Sequence, residues 1–111
     1  MTESTTTAQR ALGPSAAVTD DLVVPYNLAD LGLRIAVARV GDGLHAFDDL
    51  CPCADPPCPL SGGLLTGATI MCQCHGSRFD VTTGAVIAGP ATAPLRRYEV
   101  REVDGTVHLL V

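Results

Sequence analysis

The sequence predicts a small all-β domain of the sandwich or barrel kind. Three observations carry that prediction. No stretch holds a 3.6-residue apolar period over three turns. Short runs of Val, Leu and Ile are cut at close intervals by Gly, Pro and Asp. The 11 glycines and 8 prolines in 111 residues supply more turns than a helix bundle tolerates. Residues 1–20 are rich in Thr, Ser and Ala around Gly13-Pro14 and read as a flexible tail, with a short capping strand as the alternative. The folded domain is expected over residues 21–111. Leu22 to Val24 leads into Pro25 as its first β segment. Leu33 to Val40 follows, and Gly41-Asp42-Gly43 is a strong hairpin turn into Leu44 to Phe47. Leu64-Leu65 and Ala68 to Cys72 flank a Thr-Gly turn, and Asp80 to Val86 turns at Thr83-Gly84. Arg97 to Val103 alternates polar and apolar, turns at Asp104-Gly105 and returns as Thr106 to Val111. The longest segment without strand character is Cys51 to Gly63, and a loop of that length in so small a domain is expected to be functional.

Composition narrows the function. Seven arginines, no lysines and 12 carboxylates leave a formal net charge of −5, which argues against nucleic acid or an anionic membrane as a partner. No apolar run approaches the roughly 18 residues that span a bilayer, so a soluble protein is expected. The opening Met-Thr-Glu-Ser-Thr-Thr-Thr has neither an apolar signal region nor a twin-arginine pair, which predicts a cytoplasmic address. Apolar residues make up 47% and aromatics only 4%, so the core is small and would profit from a metal or a cross-link.

All five cysteines lie between positions 51 and 74: Cys51, Cys53, Cys58, Cys72 and Cys74, with His75 beside the last. A secreted disulfide scaffold would scatter them, whereas clustered cysteines in a reducing compartment are more often metal ligands. Cys51-x-Cys53 and Cys72-x-x-His75 offer three thiolates and one imidazole, a soft donor set that selects zinc or an iron–sulfur cluster over magnesium or calcium. Spacing alone does not choose between those two.

The surroundings do. Asp48-Asp49-Leu50-Cys51-Pro52, Leu60-Ser61-Gly62-Gly63-Leu64, Met71-Cys72-Gln73-Cys74-His75-Gly76-Ser77-Arg78-Phe79-Asp80, Thr83-Gly84 and Gly89-Pro90 closely resemble the Rieske-type ferredoxins, over about Leu22 to Val111. The resemblance implies a 2Fe–2S cluster gripped by two loops at one end of the β domain, two cysteines on one iron and two histidines on the other. Cys51 and Cys72 match the cysteine ligands and His75 matches one histidine. The position of the other histidine is Cys53. Three readings of that departure stay open. Cys53 ligates, giving three thiolates and one imidazole; the cluster is lost and only the fold kept; or zinc fills the site or another cysteine such as Cys58 takes the fourth place. The first is favoured because thiolate is a competent iron ligand and every other loop feature is retained. A third thiolate makes the site more negative, so the electron is harder to add and the potential falls.

The resemblance carries further expectations. Ser77 matches a serine that hydrogen-bonds a bridging sulfide in high-potential relatives, and Phe79 stands where those relatives have a tyrosine bonded to a cysteine sulfur. Phe79 has no hydroxyl, which again lowers the potential, and it also reads as a core aromatic. Cys58 and Cys74 correspond to a pair that forms a disulfide between the loops in quinol-oxidising relatives, although Cys58 lies two residues late; a bridge and two separate thiols both remain open. Gly89-Pro90 resembles a third loop that covers the cluster. His45 and His108 read as ordinary strand histidines, and Arg96-Arg97 as strand-end charge or a docking pair. Asp42, Asp48, Asp49 and Asp55 read as an acidic surround able to steer a basic partner, or as a merely solvated face.

The function implied is that of a one-electron carrier with no catalytic residues of its own. It would be a monomer passing electrons from a flavin-dependent reductase to a terminal oxygenase. The alternatives are a cluster-free or zinc-binding interaction subunit, resembling the small subunit of nitrite reductase, and a redox or iron sensor.

Overall fold

The computed structural model describes residues 9–20, 22–52 and 58–110. They form eleven strands: β1 (Gln9–Pro14), β2 (Val23–Leu28), β3 (Leu33–Val40), β4 (Gly43–Asp48), β5 (Leu64–Thr66), β6 (Thr69–Met71), β7 (Arg78–Asp80), β8 (Val86–Ala88), β9 (Arg97–Tyr98), β10 (Val100–Val103) and β11 (Thr106–Leu110). The strands pair antiparallel into three open sheets, ordered β2-β3-β4-β9, β5-β6-β7-β8 and β1-β11-β10. The protein is all-β, and none of these sheets closes into a barrel.

β3 organises the layers. Ile35, Ala36, Val37 and Ala38 are all fully buried, because this interior strand is covered on both faces. Successive side chains of a strand point to opposite faces. Ala36 and Ala38 pack with Phe47, Leu60, Ile70, Phe79 and Val81, on the side of the β5–β8 sheet. Val37 packs with Ala46 and Val107, and Ile35 with Leu109, on the side of the β10–β11 sheet. The β2-β3-β4-β9 sheet is therefore the middle layer. The side holding Ala36 and Ala38 also holds Cys51 and Cys72.

The turns behave as their residues require. Gly41 at φ +60° and Gly67 at φ +61° reverse the β3–β4 and β5–β6 hairpins. Pro25, which reads as a strand end, sits inside β2, because β2 is an edge strand and owes no amide hydrogen to an outer neighbour.

Two expectations are corrected. The proposed tail is ordered from residue 9: β1 pairs with β11, Arg10 forms an ion pair with Asp30, and Val18 is buried. This is the capping-strand alternative. Its stability comes from backbone pairing with a strand about a hundred residues away, which composition does not register; residues 1–8 lie outside the described residues. The single strand expected over Arg97 to Val103 is two. Arg97-Tyr98 pairs with Phe47 and Ala46 in the middle sheet, whereas Val100–Val103 pairs with β11 in another. The chain changes sheets at Glu99.

Candidate functional site

The first of the two cysteine-bearing loops leaves the end of β4. The Cys51 amide donates to the Cys58 carbonyl at 2.8 Å, and Leu50 and Pro59 form an isolated bridge, so the loop's two ends run side by side. A 3-10 turn at Leu60–Gly62, anchored by the buried Leu60, closes it. Cys51 is buried and Leu50, next to it, is exposed. Cys53 and Asp55 lie outside the described residues.

The second loop joins β6 to β7. The Cys72 amide donates to the Ser77 carbonyl at 2.8 Å, and the Gly76 amide to the Cys72 carbonyl at 2.9 Å. Gly76 takes φ +77°, a conformation that favours glycine. Cys72 at the loop's base is buried and His75 at its tip is exposed. The two loops touch. A side chain at Gly63 would run into the Met71 carbonyl, so Gly63 is needed for close approach, whereas one at Gly62 would meet only the movable end of the Gln73 side chain. A disulfide between Cys58 and Cys74, with Cα atoms 6.5 Å apart, fastens one loop to the other. A bridged cysteine supplies no thiolate, so neither Cys58 nor Cys74 is a ligand in this state, and Cys51, which is disulfide-bonded as well, becomes a donor only on reduction.

Ser77 and Phe79 are fully buried. The Ala91 amide donates to Ser77 Oγ at 3.0 Å, which draws the segment after the cis Gly89-Pro90 bond over the second loop. Accepting that bond leaves the Ser77 hydroxyl hydrogen available for donation. Phe79 packs in the same apolar cluster as Cys51 and Cys72.

The other candidates fall outside this centre. His45 on β4 has Nδ1 3.2 Å from Arg97 Nη2; burial, and after it the Arg97 charge, lowers its pKa. His108 on β11 pairs across the ladder with Arg101. Arg97 also donates to the Val81 carbonyl at 3.2 Å, and the Arg96 guanidinium lies 5.3 Å from the centre of the Tyr98 ring. The acidic surround is corrected. Asp49 is wholly buried, and Asp48 accepts a 2.5 Å hydrogen bond from the Tyr98 hydroxyl. Burial and, after it, that bond push the Tyr98 pKa up to about 12. Sequence reading missed Arg34, Asp49 and Ser61 as a linked set. The only available signal was an acidic residue two places before Cys51.

Among the described residues no three His, Cys, Asp or Glu side chains converge as ligands of one metal ion. A two-iron cluster does not ask for that, because its donors divide into pairs, one to each iron. With Cys51 reduced, two buried cysteines, one from each loop, and an exposed imidazole would supply the soft donors such a cluster takes, and Ser77 has a proton to offer a sulfur. The residues present fit the group.

Comparison with known proteins agrees. The Rieske [2Fe-2S] domain profile matches residues 11–99. The anthranilate 1,2-dioxygenase ferredoxin subunit of Burkholderia cepacia is 36% identical over 111 residues, all of this chain and 99% of its own length. The Sphingomonas yanoikuyae B1 ferredoxin superposes with a TM-score of 0.85 at 30% identity, covering 94% of this chain and 99% of its own. The complex of reduced oxygenase and oxidized ferredoxin in carbazole 1,9a-dioxygenase contains a chain matching with a TM-score of 0.83 at 30% identity, over 95% of this chain and 94% of that one. Two cysteine-bearing loops joined on a three-sheet β scaffold and a profile match over most of the chain lead to one assignment: the protein belongs to the Rieske [2Fe–2S] domain family, and its cofactor is a 2Fe–2S cluster.

Proposed function

We propose that this chain is a ferredoxin, a monomeric cytoplasmic carrier that takes one electron from a flavin-dependent reductase and delivers it to a terminal oxygenase. The observation that carries the reading is that buried Cys51 and Cys72, from two loops joined by a disulfide, share one apolar cluster, with exposed His75 three residues after Cys72. When bound, a 2Fe–2S cluster accepts and releases a single electron at a potential set by its ligands and their hydrogen bonds.

The chain's own residues hold, shield and present that site. Cys51, Cys53, Cys72 and His75 are the proposed ligands, with Cys53 in the place of a histidine. The Cys58–Cys74 disulfide favours that set over one that uses either of them, and the set requires Cys51, also disulfide-bonded in this structure, in its reduced form. Phe79, Leu60 and Ala91 exclude water on the inner side. Exposed Leu50, Pro52, His75 and Pro90 leave the outer side open to a protein partner. The names of the relatives support the role, since one is the ferredoxin subunit of a dioxygenase and another is a ferredoxin in complex with its oxygenase.

Iron and acid-labile sulfide content, with the EPR spectrum of the dithionite-reduced protein, test the centre. Two irons and two sulfides per chain with a reduced-state signal are expected. A colourless protein holding zinc or no metal would overturn the reading. Reduction by a flavin reductase and reoxidation by a terminal oxygenase test the partners, and size-exclusion chromatography tests the monomer.

A further inference from the structure

Asp49 is a fully buried carboxylate that serves neither as a proposed ligand nor as part of the surface. Its oxygens accept three hydrogen bonds: from Arg34 Nε at 2.6 Å, from the Ser61 amide at 2.6 Å and from the Ser61 hydroxyl at 3.0 Å. Its backbone is engaged as well, the amide donating to the Arg34 carbonyl at 3.0 Å and the carbonyl accepting from the Leu60 amide. An ionised carboxylate leaves water at high cost unless it is paired and fully hydrogen-bonded, and here both conditions are met. Asp49 stands at the entrance of the first ligand loop and Ser61 at its exit. One side chain therefore ties the two ends of the loop that carries Cys51.

The charges are not placed symmetrically. Asp49 has no exposed side-chain surface, whereas the Arg34 side chain is 40% exposed. Water screens the arginine more than the carboxylate, so the pair presents a net negative field to the interior. Cys51 lies on the interior side, and two extended residues span at most about 7 Å, well inside one Debye length.

We infer that Asp49 is a positioning residue that clamps the first ligand loop and lowers the reduction potential through its buried charge, with Arg34 as the exposed counter-charge. The inference rests on the ferredoxin reading. Adding an electron adds negative charge, and a fixed buried anion opposes it.

The test compares the full-length holoprotein with Asp49→Asn, Arg34→Gln and Ser61→Ala by protein-film voltammetry at pH 8, alongside the rate of bleaching by a chelator. Asp49→Asn keeps the shape and removes the charge. Its reduction equilibrium should shift about tenfold toward the reduced form, about 59 mV for one electron. Arg34→Gln leaves the carboxylate without its counter-charge and should shift the potential the opposite way. Ser61→Ala changes no charge, so its potential should stay at the wild-type value while its cluster bleaches several-fold faster. Potentials that stay fixed in the first two variants, or move in the same direction, would make Asp49 a purely structural residue and overturn the inference. Where Asp49→Asn fails to fold, the contrast between a lowered potential in Arg34→Gln and an unchanged one in Ser61→Ala decides. Wild-type protein without iron and sulfide sinks the ferredoxin reading and this inference together. A normal cluster with unmoved potentials sinks this inference alone.

Discussion

The cysteines of this chain are proposed to do three jobs, separated by position within the loops. Cys51 and Cys72 sit in the apolar cluster, Cys58 and Cys74 bridge the loops, and Cys53 is the proposed ligand in place of a histidine. Cys72→Ala should therefore abolish the visible absorbance, and Cys74→Ala should retain it; an essential Cys74 beside a dispensable Cys53 would break the assignment. Cys53→His exchanges a thiolate for an imidazole and removes a negative charge. The midpoint potential should rise on the order of 100–300 mV, between the family limits of about −400 mV with four cysteines and −150 to +300 mV with two histidines. Voltammetry of the two proteins measures it, and an unchanged potential would mean that Cys53 is not a ligand. Tyr98 gives a prediction independent of the cluster. Its pKa is raised to about 12 from 10.0 by burial and by the Asp48 carboxylate, so the folded state holds the phenol proton more tightly than the unfolded chain does. The associated stability is fully present below pH 10 and is lost as pH rises toward 12. Alkaline titration of tyrosinate absorbance should show a step near pH 12 that Tyr98→Phe removes.

At the scale of elements, short strands and long loops share the work of holding the site. β5, β6, β7 and β8 have three residues each, and strands so brief rely on what packs against them. Besides the Asp49–Ser61 contacts and the Leu50–Pro59 bridge, the loops are fixed by the Cys51–Cys58 backbone bond, the Cys58–Cys74 disulfide and the Ala91 amide on Ser77. The disulfide spans a sequence separation of 16, and closing a loop of that length stabilises by about 3 kcal/mol in the chain-entropy model. The double variant Cys58→Ser, Cys74→Ser should lose stability of that order in urea unfolding of the apoprotein, and its cluster should be lost faster to chelator. Equal stability with and without the bridge would show that packing around Leu60 and Gly62-Gly63 holds the loops unaided.

Across the whole molecule, the first and last described strands belong to one sheet. β1 and β11 pair along most of their length, and Leu12 packs against the clusters around Val107 and Leu109. Removing residues 1–14 should lower the thermal midpoint and promote association, because it strips the partner from β11 and exposes an edge. Light scattering and a thermal melt of the truncated protein check both effects. A truncation with unchanged melting would restore the flexible-tail reading.

Local chemistry made much of this legible. The Leu33–Val40 strand and its Gly41-Asp42-Gly43 turn could be read directly, because an apolar β-branched run and a glycine turn are encoded in neighbouring residues. The two cysteine-bearing loops were legible as loops for the same reason, since their Gly and Pro residues interrupt strands within a few positions. What the sequence by itself determined is thus the fold class, the cluster family and the identity of the candidate donors. The tertiary structure alone decided that Gln9–Pro14 is a strand, that the chain changes sheets at Glu99, and that Asp49 is a buried clamp rather than part of an acidic rim. Each of these depends on a partner distant in sequence: β11 for β1, β4 for β9, and Arg34 and Ser61 for Asp49. Pairing energies of that kind come from contacts across the fold, and a local pattern of residues carries no record of them.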